Sequence, residues 1–175
     1  NRFLVHESLA AEFTGRLAER MAALVVGRGV EDGVDVGPLI DAASREKVAG
    51  LVSDAVDRGA TVVTGGTPVG QRGYFYAPTV LADVPPGSRV LAEEIFGPVA
   101  PVTTFGTDDE AIALANRSEF GLVCYVYTRD LSRAVHTAEA LESGMVGVNQ
   151  GVVSNPAAPF GGVKHSGFGR EGGAE

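Results

Sequence analysis

The sequence predicts an α/β fold: an open twisted sheet with helices packed on it. Three observations carry this. Apolar residues recur at helical spacing over residues 7–26 and 41–58. A helical stretch followed by a short apolar run occurs three times, at 41–58 then 60–64, 108–117 then 122–127, and 131–142 then 145–148. Gly and Pro mark the junctions, as at Gly27, Gly59 and Pro85-Pro86-Gly87.

Taken in order, residues 2–6 read as a strand. A helix opens at Glu7 or Ser8 and runs to Val26, with Leu9, Phe13, Leu17, Met21 and Leu24 on one face and Gly27 and Gly29 ending it. A loop with Gly33, Gly37 and Pro38 follows. Asp41 is placed as the N-cap of the second helix, whose stripe is Val48, Leu51, Val52 and Ala55. Gly59 stops it before a short buried strand at 60–64. Residues 74–84 are extended and interrupted by Pro78, and 99–105 form another strand. After Asn149 periodicity vanishes. Residues 150–175 read as a long loop rich in Gly and Pro, and such loops in compact domains are usually functional.

The 175 residues, 45% of them hydrophobic, suffice for one domain with a core. A net charge of −8 argues against nucleic acid and anionic membrane as partners. The longest apolar run, residues 21–26, is far too short to span a bilayer. One cysteine excludes an internal disulfide framework and fits a reducing cytoplasm. The chain begins with Asn and enters a strand at once, which suits a truncation.

Few residues present themselves for chemistry. Cys124 lies in the apolar run Gly121-Leu122-Val123-Cys124-Tyr125-Val126-Tyr127, where a thiol is inert and acts as a small hydrophobe. The string Gly167-Phe168-Gly169-Arg170-Glu171-Gly172 has GxGxxG spacing but lacks the strand before and helix after that a dinucleotide fingerprint needs. His6, His136 and His165 are too scattered for a metal pair. The run Glu93-Glu94-Ile95-Phe96-Gly97-Pro98 admits two readings. A carboxylate there can accept from ribose hydroxyls and the aromatic can wall a nicotinamide, or the run is a helix-end acidic pair beside a core Phe. Lys164 and Arg170-Glu171 are either a solvated charge cluster or part of a loop whose glycines let it approach a ligand.

The run Pro159-Phe160-Gly161-Gly162-Val163-Lys164-His165-Ser166-Gly167-Phe168-Gly169-Arg170-Glu171 resembles the C-terminal signature of the NAD(P)-dependent aldehyde dehydrogenase superfamily. Glu93-Glu94-Ile95-Phe96-Gly97-Pro98-Val99 is a second match, joined by Asn1-Arg2-Phe3-Leu4-Val5, Gly37-Pro38-Leu39-Ile40, Gly65-Gly66 and Phe120-Gly121-Leu122. Gly144-Met145-Val146-Gly147-Val148-Asn149 with Gly151-Val152-Val153-Ser154 is most similar to the succinate-semialdehyde branch. The resemblance covers essentially the whole chain. It implies a partial catalytic domain over residues 1–175, truncated at both ends, with the Rossmann cofactor domain elsewhere.

The resemblance also implies roles for single residues. Glu94 matches the glutamate on the nicotinamide ribose, Phe96 the aromatic beside the nicotinamide, and Lys47 a basic or ribose-contacting position. Ser154 matches a serine that binds the distal carboxylate, Phe160 lies on the aldehyde tunnel and Asn149 shapes it through backbone hydrogen bonds. Glu171 matches a glutamate of a proton relay. The implied chemistry is thiolate attack on the aldehyde, hydride transfer to NAD or NADP, and hydrolysis of the thioester. The nucleophilic cysteine, the general-base glutamate and the oxyanion-hole asparagine have no counterpart here. They are expected upstream, so the chain alone is expected to be inactive. A strand exchanged between subunits of a homo-oligomer is expected beyond Glu175. Rival expectations are another aldehyde specificity, such as betaine aldehyde or a medium aliphatic aldehyde, and a stand-alone binding or assembly module.

Overall fold

A computed structural model describes residues 2–173. Asn1, which opens the first motif, and Glu175, beyond which the exchanged strand is expected, lie outside the described residues. The chain forms two compact units, the first ending at Phe105 and the second beginning at Gly106.

The first unit contains β1 (Phe3–His6), α1 (Glu7–Ala22), α2 (Ala42–Asp57), β2 (Thr61–Thr64), β3 (Thr79–Ala82), a 3-10 turn at Arg89–Leu91, and β4 (Val99–Phe105). Its four strands form one sheet in the order β1-β4-β3-β2. The central strand β4 is parallel to both neighbours. Its first half pairs with β3, Val99 opposite Thr79, and its second half with β1, Val102 opposite Phe3. Successive strand residues point to opposite faces. Val80, Ala100 and Val102 pack with Ala18, Phe13, Leu17 and Met21 of α1. Leu81 and Val99 pack with Val48, Leu51, Val52 and Ala55 of α2. All four α2 residues are the ones expected from spacing, and all are buried. The helix begins where Asp41, in extended backbone, accepts a 2.7 Å hydrogen bond from the Ser44 N–H. It ends before Gly59, whose φ of 116° only glycine adopts readily.

Three expectations for this unit need correction. Helix α1 stops at Ala22 and not at Val26. Residues 25–27 leave the helix because they hydrogen-bond to a returning segment. The Val25 N–H donates to Asp35 Oδ2 at 2.9 Å, the Val36 N–H to Val25 O, and the Gly27 N–H to Val36 O. The buried positions of α1 are Thr14 and Ala18, whereas Leu9 and Leu24 are exposed. The strand expected to be buried at 60–64 is the exposed, antiparallel edge strand β2, with an irregular register between Val62 and Thr64; only Ala60 beside it is buried.

The second unit contains α3 (Asp108–Asn116), β5 (Phe120–Gly121), β6 (Val123–Val126), α4 (Leu131–Ala140), β7 (Met145–Val148) and β8 (Val163–Lys164). It departs from the expectation of one sheet. Strands β6 and β7 form a parallel pair with α4 as the crossover, and β5 and β8 a separate antiparallel pair. Strand β8 lies inside the stretch expected to be loop. In its partner β5, Gly121 lies against another stretch of backbone. A Cβ there would sit 2.5 Å from Glu142 O. The side chain of Asn116 ties the ends of two helices together. Its Nδ2 donates to Ala140 O at 2.9 Å, and its Oδ1 accepts from the Glu142 N–H at 2.8 Å. Among the described residues, no helix is long and apolar enough to cross a membrane.

Tyr76 is buried in the α2-facing core with no hydrogen-bond partner for its hydroxyl among the described residues, and burial raises its pKa. Tyr76→Phe removes an unsatisfied polar atom and is expected to leave stability unchanged or raise it by about 1 kcal/mol. Leu51→Ala in the same core should cost about 2–5 kcal/mol. Urea unfolding of the two variants against the parent checks both signs.

Candidate functional site

The candidate residues fall into two constellations, one in each unit. The first is built on residues 89–97. The 3-10 turn docks on α2 because the Arg89 N–H donates to Asp54 Oδ2 at 2.8 Å. The Arg89 guanidinium then grips Glu93 in a two-point ion pair at 2.7 and 3.1 Å. Ile95 is buried in the α2-facing core. Glu94 and Phe96, on either side of it, are therefore turned outward. Phe96 is 78% exposed and has a φ of 51°, a left-handed conformation that costs a non-glycine residue on the order of 1 kcal/mol or more. Gly97 follows because a Cβ there would sit 2.7 Å from Val48 Cγ2. Lys47, the residue before Val48 on α2, donates from Nζ to the Glu94 carbonyl at 2.6 Å.

This geometry separates the two adjacent carboxylates. Glu93 is structural: the Arg89 guanidinium holds its carboxyl below the usual carboxylate range. The Glu94 carboxylate is exposed and has no hydrogen bond or ion pair among the described residues. The acidic-pair reading thus describes Glu93. A core Phe does not describe Phe96. A free carboxylate and a free ring stand on either side of an anchored Ile95, which is the presentation a ribose and a flat ring require.

The second constellation lies in the unit that begins at Gly106. Ser154, Asn155, Pro156, Ala158, Phe160 and Glu171 line an open hollow of about 280 Å³. Phe160 and Glu171 are joined by reciprocal backbone hydrogen bonds, both 2.7 Å. Asn155 shapes the rim, its Oδ1 accepting from the Ala157 N–H at 3.0 Å and its carbonyl from the Ala158 N–H. Asn155 and Pro156 were not singled out from sequence, although an Asn-Pro pair is a turn signal. Asn149 does not line this hollow. Its φ is 54°, and its amide exchanges two hydrogen bonds with the backbone of Thr128, at 3.0 and 2.8 Å. It thereby prolongs the β6–β7 pairing with a side chain in place of a strand.

Gly161 of the 159–171 motif, and Gly144 before it, have a structural explanation. A Cβ on Gly144 would overlap Gly161 O, and one on Gly161 would overlap Gly169 O. They let backbone pass backbone. Lys164 and Arg170 of the motif bind backbone carbonyls as well. Arg170 Nη1 donates to Gly162 O and Gly169 O, both at 2.8 Å. Lys164 Nζ donates to Asn116 O at 2.7 Å and Ser118 O at 3.0 Å and pairs with Glu142 at 2.5 Å. A solvated cluster does not describe Lys164, whereas Arg170 and Glu171 are exposed.

The other candidates take ordinary places. Cys124 is half-buried in β6 opposite Val146. His6 caps α1 by accepting from the Ser8 N–H, His165 pairs with Glu119 at 3.3 Å, and His136 is exposed on α4. A larger hollow of about 650 Å³ in the first unit, walled by Arg28, Pro38, Ile40, Arg72 and Tyr74, had no counterpart in the sequence reading.

Three carboxyl groups of the first unit lie below their ordinary range. The Ser44 N–H lowers Asp41, the Arg89 N–H and then the Arg58 side chain lower Asp54, and Arg89 lowers Glu93. Their contribution to stability is therefore present above the unfolded carboxylate pKa of about 4. It is lost as pH falls through the depressed folded values. Melting temperature should be flat from neutral pH to about 5 and then fall, and the double variant Asp54→Asn/Glu93→Gln should flatten that acid limb. An unaltered acid limb in the double variant counts against the assignment.

A family model described as "Aldehyde dehydrogenase family" matches residues 1–175. A succinate-semialdehyde dehydrogenase from Paenarthrobacter nicotinovorans is 59% identical over all 175 residues. A glutarate-semialdehyde dehydrogenase from Pseudomonas aeruginosa is 49% identical over 98% of the chain. The crystal structure of succinate-semialdehyde dehydrogenase from Burkholderia pseudomallei superposes with a TM-score of 0.95 at 49% identity, covering 98% of this chain. The chain spans 39%, 36% and 36% of the lengths of these three proteins.

Proposed function

The chain belongs to the aldehyde dehydrogenase family, and from that premise we propose that it is part of the catalytic domain of a longer NAD(P)-dependent dehydrogenase oxidising succinic semialdehyde to succinate. The observation that carries the proposal is the outward presentation of Glu94 and Phe96 on a core-anchored Ile95. These residues fit a nicotinamide nucleotide, because the carboxylate is unpartnered and the ring is bare. When bound, that cofactor takes up the hydride released as the aldehyde carbon is oxidised. Glu94 accepts from the ribose hydroxyls, Phe96 walls the ring, and Lys47 lies beside them.

In the other unit, Phe160 supplies an apolar wall of the hollow for the substrate chain and the Ser154 hydroxyl donates to its distal carboxylate. Asn149 holds the backbone that leads into this segment, and Glu171 at the rim holds or passes a proton. The kinship with enzymes acting on succinate and glutarate semialdehydes supports an aldehyde with a second acid group. The nucleophile is expected in the remainder of the longer protein. Cys124, paired within β6, does not replace it, and the 175 residues alone are expected to be inactive. The full enzyme is read as cytoplasmic and homo-oligomeric.

Two variants of the full-length enzyme test the reading. Glu94→Gln should slow single-turnover hydride transfer more than it weakens dinucleotide affinity, and an unchanged single-turnover rate removes Glu94 from the ribose. Ser154→Ala should raise KM for succinic semialdehyde by about tenfold or more, the size of one hydrogen bond to a charged group. A neutral aldehyde of similar length should be little affected. Equal effects on the two aldehydes remove Ser154 from specificity.

A further inference from the structure

Lys164 combines two costly features at one position. Its backbone is left-handed, with φ 55°, where a long side chain is uncommon. Its ammonium is drawn inward, the side chain only 24% exposed, and is satisfied by three oxygens: the carbonyls of Asn116 and Ser118 and the carboxylate of Glu142. Strain and charge burial persist together only where the surroundings over-determine the conformation, and such places cluster at functional sites.

The surroundings do so here. Asn116 is the last residue of α3, so the ammonium neutralises the negative end of that helix. The Asn116 side chain in turn fixes Ala140 O and the Glu142 N–H at the end of α4. Lys164 thus fastens to a frame made by two helix ends. Beside it, the Gly121 N–H donates to Ser166 Oγ at 3.1 Å and the His165 N–H to Glu119 O at 3.0 Å. The turn at 163–167 is closed by the Ser166 N–H to Val163 O and the Gly167 N–H to Lys164 O.

From this fastened turn the two arms of the motif run back past Gly161 and Gly169 to the Phe160–Glu171 pair, which edges the hollow containing Ser154. We infer that Lys164 is a positioning residue for the aldehyde-facing hollow. It latches the tip of the 160–171 loop to the ends of α3 and α4, and so sets where Phe160 and Glu171 stand. The inference rests on the reading of that hollow as the substrate-facing surface. It assigns Lys164 no contact with substrate and no proton transfer.

The test uses the full-length enzyme with Lys164→Met, Lys164→Asn and Lys164→Arg. Asn tolerates the left-handed backbone but cannot reach the carbonyls, so it separates loss of the latch from relief of strain. Hydrogen exchange is followed in peptides covering 156–173 and in those covering α1 and α2. Kinetic constants are measured for succinic semialdehyde and for the dinucleotide. The Met and Asn variants should exchange at least tenfold faster at Phe160 and Glu171, with α1 and α2 unchanged. Their kcat/KM for the aldehyde should fall by about ten- to a hundredfold, the penalty of a misplacement near 1 Å, while KM for the dinucleotide stays within about twofold and Lys164→Arg recovers much of the loss. Unchanged exchange at 156–173 overturns the inference, and so does faster exchange spread equally over both units. Ser154→Ala serves as the control. If it leaves aldehyde kinetics untouched, the reading of the hollow fails. If it acts and the Lys164 variants do not, only the latch fails.

Discussion

Close approach of a segment at a glycine, to a packed side chain in one unit and to backbone in the other, is the constraint on which both units depend. At Gly97 the chain crosses α2 so closely that a Cβ would strike Val48. At Gly144 and Gly161 two segments touch with no side chain between them. Neither crossing tolerates a larger residue without moving the segment that carries the candidate chemistry. In the first unit that segment is residues 94–97, in the second residues 160–171. Glycine serves here as absent volume more than as a flexible joint. Because the crossing fixes the segment, side chains to either side can be held outward without a partner of their own.

The charges divide along the same line. Arg89, Asp54, Arg58 and Glu93 neutralise one another along α2 and the 3-10 turn. Lys164, Glu142 and the carbonyls at the end of α3 do the same in the second unit. Glu94 is left out of these networks. Its carboxylate keeps acceptor capacity that no hydrogen bond or ion pair among the described residues uses.

The fold was most legible at α2, where one periodicity governs the whole segment. Val48, Leu51, Val52 and Ala55 repeat at helical spacing, and each is buried as that spacing requires. Strands β4 and β7 fell at their expected bounds. The errors came where a distant segment competed for hydrogen bonds. Residues 25–27 have the apolar character to continue α1, but Asp35 and Val36 take their backbone groups. Ala60 and the strand beside it were equally apolar, yet only the edge position of β2 decides that Val62 and Val63 face solvent. The candidate site divided in the same way. Glu94 and Phe96 were named from their motif, but sequence could not choose between a ligand-facing pair and an acidic helix end.

The sequence by itself determined the fold class, the family, the Asp41 cap of α2 and the identity of the residues to examine, because these follow from spacing, side-chain chemistry and motif order. Only the tertiary structure decided which of two adjacent glutamates is free, that Asn149 stitches β6 to β7, and that Lys164 and Arg170 bind carbonyls. The Asn149 and Lys164 contacts span 21 to 48 residues and the Arg170 contact with Gly162 spans 8. Glu93 is held by Arg89 only 4 residues away, but in a turn docked on Asp54, 35 residues from Arg89. Pairing of that kind is set by how elements pack, and no local pattern in the chain encodes it.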